Sequence, residues 1–150
     1  MSKIYSTYGL LTAGLLIAYF LLIRLIGWHQ YPILSSANGI IFGIGIYLAI
    51  TKFRNQFKEE KYEKGFQVGL VCGIIATVVF TIFMAIYMYH LDPNFAETII
   101  NTWIRDYNQG PGVLVFILLI EGFASTVVLT LAFMQKFKPS WNLKKTIQKA

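Results

Sequence analysis

One cysteine, four prolines and a charged fraction of only 13% are what this 150-residue chain has little of. With Cys72 alone, no internal disulfide can form, and the paired-thiol chemistry of a membrane thiol oxidase is excluded. Charge this sparse, beside 56% hydrophobic residues, leaves more apolar surface than a soluble domain of this size can hide. The low hydrophobicity and high charge of disordered chains are missing too. So are a phosphate-binding glycine loop, a GxSxG elbow, an HExxH helix and any nucleic-acid module. The first apolar stretch runs about twenty residues with no small-residue cleavage site to close it, so it is expected to stay as a span.

What is present is long apolar runs. Crossing about 30 Å of hydrocarbon takes about 20 apolar helical residues, and four stretches reach that length: residues 8–27, 33–51, 66–89 and 113–134. They are too long for strands and lack strict alternation, and a backbone in lipid must satisfy its own hydrogen bonds. The expected fold class is therefore all-α, an integral membrane four-helix bundle forming one domain over residues 1–150.

Charge placement predicts which way the bundle points. Eleven of the thirteen basic residues fall in the N-terminus (Lys3), the middle loop (Lys52, Arg54, Lys58, Lys61, Lys64) and the tail (Lys136, Lys138, Lys144, Lys145, Lys149). The other connections hold Arg105 against Asp92, Glu97 and Asp106. By the positive-inside rule both termini face the cytoplasm, and the tail lysines are expected to touch anionic lipid headgroups rather than nucleic acid. Trp28, Tyr31, Tyr87, Tyr89, Trp103 and Tyr107 would mark the outer interface, and Tyr5, Tyr8 and Trp141 the inner one.

Outside the spans the chain is short. The inner loop should extend the second and third helices by a turn. In the outer segment, Asp92-Pro93 is a helix-start signal. Phe95, Ile99, Trp103 and Tyr107 then recur every fourth residue, predicting an amphipathic interfacial helix over residues 93–108 that ends at Gly110-Pro111-Gly112. In the basic tail, residues 135–150, Pro139-Ser140 would start a short helix carrying Trp141 and Ile147.

Helices in lipid associate through small residues. The third span carries Gly65, Gly69, Gly73, Thr77, Thr81 and Ala85 at every fourth position, and the second carries Ser35, Gly39 and Gly43. These two stripes are expected to face each other within the hairpin or to form a homodimer seam.

Glu121 is the most unusual residue, a carboxyl near the middle of the fourth span with Ser125 one turn away. It reads either as a proton- or cation-binding group or as a hydrogen bond that holds the bundle. Arg24, near the outer end of the first span, either snorkels to the headgroups or reaches toward Glu121. His29, His90, Asp92 and Glu97 share the outer side without the spacing of a metal motif, so neither metal nor cofactor is expected. Cys72 reads as a packing residue.

With the spans placed, a resemblance appears in Asn38-Gly39-Ile40-Ile41 through Gly45-Ile46-Tyr47-Leu48-Ala49-Ile50, and in Gly65-Phe66-Gln67-Val68-Gly69 followed by the aromatic-rich run into Asp92-Pro93-Asn94-Phe95. These segments resemble a family of small four-span bacterial inner-membrane proteins, the domain of unknown function numbered forty-one ninety-nine, over about residues 8–134. The resemblance implies the same four-helix architecture and transfers no catalytic residues. Together the readings predict a non-enzymatic membrane protein working by helix–helix association, as an accessory subunit or homo-oligomer. The alternative is a small proton- or cation-coupled transporter built on Glu121.

Overall fold

The structure is a computed structural model, and it describes residues 1–29, 31–58, 61–103 and 110–138. Five helices follow in order: α1 (Ser2–Ile26), α2 (Pro32–Gln56), α3 (Tyr62–Ile86), α4 (Pro93–Trp103) and α5 (Gly112–Gln135). The described residues contain no strand. Four of these helices are long and apolar enough to cross a membrane, as the runs of the sequence require.

Helix ends follow local chemistry. α1 stops at Gly27, whose φ of 83° closes the helix in the left-handed region that glycine enters at no steric cost. The amide of Trp28 then bonds the Ile23 carbonyl at 3.1 Å. Pro32 starts α2, where its missing N–H would be unpaired anyway. α2 and α3 both run past their apolar runs into the charged loop. α3 continues into a π-helical turn, Tyr87–Leu91, that ends with the Asp92 amide bonded five residues back to the Tyr87 carbonyl at 2.8 Å.

α3 is the central helix, packed against α1, α2 and α5. Within the chain its stripe of small residues does not interlock with Gly39 and Gly43 of α2, the first of the two arrangements expected; it faces α5, with Ile50 and Arg54 of α2 beside it. A Cβ added at Gly69 would collide with Thr130, one at Gly73 with Thr126, and one at Gly122 of α5 with Thr77. The two antiparallel helices thus exchange threonine and glycine turn by turn, and Gly65 continues the row against Met134. On α2, Gly45 instead receives Thr12 of α1, Gly43 meets only Leu129 and Phe133 at van der Waals distance, and Gly39 has open space. The reason is geometric. Threonine gives α5 a methyl knob that the glycine row of α3 admits, so these two helices interlock.

The α2–α5 side is the loosest seam. Within its most apolar stretch α5 has only 11% of its residues buried inside the chain, against 39% for the span containing α3. α4 packs part of its apolar face on the bundle. Phe95 and Ala96 bury against Phe20, Met84, Tyr87 and Met88 at the end of the bundle, while Trp103 stays 57% exposed. The expected helix over residues 93–108 continues beyond Trp103 into residues 104–109, which lie outside the described residues. So do Lys144, Lys145, Lys149 and Trp141 of the tail.

Candidate functional site

Two adjoining sites lie along the α2–α5 seam. The lower is a groove of about 310 Å³ reaching the middle of α5. Helix geometry puts Glu121 about 14 Å from the start of α5. It lines this groove with Ser125 on its own helix, Ser35 and Asn38 on α2, and Thr77 and Thr81 on α3. Glu121 is exposed on the surface of the single chain, with no hydrogen bond or ion pair among the described residues. Asn38 adds a buried Oδ1 that likewise lacks a partner among them. The groove therefore gathers one carboxyl, one carboxamide and several hydroxyls inside an apolar shell.

Arg24 is not part of it. Its guanidinium lies 5.0 Å over the ring of Tyr87, near the C-terminal end of α1. The two residues that sequence reading paired as an option therefore occupy separate sites. Lys136, just beyond α5, bonds the hydroxyl of Tyr47 and lies 5.0 Å over its ring, while Lys138 is exposed.

The upper site is a cavity of about 160 Å³ where α4 covers the bundle end. Asp92 organises its rim. One carboxylate oxygen accepts from the Phe95 amide at 3.2 Å, capping α4, and the other accepts from the Tyr87 hydroxyl at 3.1 Å. His29 stands 3.7 Å from that second oxygen, beyond hydrogen-bonding reach. Its ring stacks on Phe95 with centroids 5.2 Å apart and meets Phe20 edge-on at 6.4 Å. Glu97 and His90 are exposed. Among the described residues no three His, Cys, Asp or Glu side chains converge. Cys72 is buried with Ala49, Phe53 and Val68.

Sequence reasoning missed the upper cavity. Its lining comes from all five helices and the α1–α2 turn, and no periodicity signals that His29 and Asn38 border one space. The one sequence cue was Asp92-Pro93, which placed the start of α4 but not the face it covers.

A model of the family described as Protein of unknown function (DUF4199) matches residues 7–112. The chain belongs to that family. The match covers α1 from residue 7, all of α2 to α4 and the upper cavity's walls from those helices, and it stops short of the residue 134 that the resemblance implied. Glu121 and Ser125 therefore lie beyond the matched segment. No curated protein and no solved structure matches the chain. Four apolar membrane-length helices and this family membership make it a multi-pass membrane protein of a family without assigned role.

Proposed function

We propose that this protein is a non-enzymatic subunit of a membrane assembly, joined through its α2–α5 face to another helix, either from a second copy or from a partner protein. The observation that carries the reading is Glu121, exposed at mid-helix on the least covered span. An ionised carboxyl facing lipid at that depth costs about 3 kcal/mol on insertion scales, and a covering helix with a hydrogen-bond donor removes that cost. Beside it, Gly39 has open space and Gly43 only loose neighbours, so α2 keeps small residues available for a further helix. We read the setting as a bacterial inner membrane; the distribution of lysine and arginine along the sequence supports both termini cytoplasmic, and the run of Lys138, Lys144, Lys145 and Lys149 in the tail sequence supports contact with anionic headgroups.

Native mass spectrometry on tagged protein gently extracted from its own membrane tests this. The expected result is a defined homo-oligomer or a stoichiometric partner, lost or weakened about tenfold in Glu121→Leu. A lone monomer would overturn it.

One observation favours a second reading. The carboxamide and hydroxyls that share the groove with Glu121 are hard oxygen donors suited to a proton or small cation. On that reading Glu121→Gln keeps assembly and abolishes proton or cation flux in vesicles; unchanged flux rejects it.

A further inference from the structure

The upper cavity is lined by residues whose buried polar atoms have no hydrogen-bond partner among the described residues. Both ring nitrogens of His29 are buried and make no hydrogen bond among the described residues, and neither does Asn38 Oδ1. All three belong to residues lining the same 160 Å³ space. Buried donors and acceptors are nearly always satisfied in native proteins, and an unsatisfied set converging on one cavity marks a place where something else supplies the bonds. The hydroxyl of Tyr19, which also lines the cavity, already donates to the Leu34 carbonyl at 2.9 Å, so its proton is satisfied within the protein.

The remaining walls describe the occupant. A cavity of about 150 Å³ lined by apolar side chains accommodates one benzene ring. Here Phe20, Phe95 and the imidazole supply aromatic surfaces, which favour a ring over a branched head. Neither lysine nor arginine lines the space, so an anionic head would find no cationic side chain in the walls. The cavity also continues downward. Ser35, Asn38, Phe80 and Leu118 line both it and the 310 Å³ groove that reaches Glu121, which gives an apolar tail a path along the α2–α5 seam.

We propose that this cavity binds an uncharged, lipid-soluble ligand with a single-ring head bearing hydroxyl or carbonyl oxygen and an apolar tail. The head bonds His29 and Asn38, and the tail runs down the groove. The head site lies beneath α4, while the tail shares the α2–α5 seam with whatever covers Glu121.

Two probes with the same tail test it by native mass spectrometry of the full-length protein in detergent: 4-decylphenol and decyl phosphate. The expected result is one saturable 4-decylphenol per chain, at least tenfold tighter than decyl phosphate. His29→Phe and Asn38→Leu each weaken phenol binding about tenfold. Leu118→Trp, which fills the junction of cavity and groove, removes it. An unchanged thermal midpoint shows that a variant is folded; should His29→Phe fail that check, Asn38→Leu decides. No saturable phenol adduct, equal binding of the phosphate, or undiminished binding in Leu118→Trp would each overturn the proposal.

Discussion

At Gly73 the α3 backbone comes so close to Thr126 that any side chain would have to displace that residue from α5. A Cβ added at Gly39 of α2, by contrast, would meet nothing within 4 Å among the described residues. The two glycines are alike in sequence, each within a small-residue stripe, and opposite in consequence. Gly73→Val is expected to destabilise the bundle by about 2–3 kcal/mol through overpacking, read as a lower midpoint of unfolding in detergent. Gly39→Ala should leave the monomer's midpoint within about 0.5 kcal/mol. Thr126→Ala should recover part of the Gly73→Ala cost, a coupling that a double-mutant cycle measures. Equal losses at Gly73 and Gly39 would show that the α3–α5 row does not set stability. At residue scale, then, the glycines and threonines were legible in the sequence as stripes. Which stripe faced which helix was not, because a one-dimensional pattern gives the face of a helix but not its neighbour.

At the scale of the element, α4 shows how far local chemistry reaches. Asp92-Pro93 marked its start correctly, and the carboxylate does cap the Phe95 amide. The periodic apolar face was read as facing lipid; its first residue, Phe95, instead buries on the bundle end, with Ala96 beside it. Amphipathicity requires an apolar neighbour and does not distinguish acyl chains from protein. Because Asp92 serves both the cap and the Tyr87 hydroxyl, Asp92→Ala should cost about 1–2 kcal/mol. It should also raise amide hydrogen exchange selectively over α4, while α1 and the middle of α3 stay protected. Exchange unchanged in α4 would mean that burial of Phe95 alone holds the helix. The π-helical turn that aims Tyr87 at Asp92 left no trace in the sequence, since its five residues have no composition that separates them from ordinary helix.

At the scale of the molecule, charge and apolar length act together. Lys3, Lys61 and Lys138 belong to one end of the bundle and Asp92 and Glu97 to the other, so the positive-inside rule predicts a single orientation. Cys72 is buried and gives little background. Ser2→Cys and Lys138→Cys are expected to react with a membrane-impermeant thiol reagent only after the cells are opened, and Asn94→Cys in intact cells. Labelling of both termini from outside would reverse the topology. The same scale holds the two sites along the α2–α5 seam: α5 lies against α3 through its threonines and leaves Glu121 on its open side.

Sequence alone determined the class of solvent, the number of spans and the helix ends marked by Gly27 and Asp92-Pro93, while α1 and α3 begin several residues before their apolar runs. What it determined depends on transfer free energy summed over about 20 residues and on capping chemistry within a few, both of which are local. Only the tertiary structure decided that α3 packs its glycines on α5, that α4 roofs a cavity, and that Arg24 and Glu121 lie apart. Each of these follows from which helix faces meet. In a chain apolar nearly all round, hydrophobicity no longer singles out one face, and the choice passes to the interlocking of small and β-branched side chains.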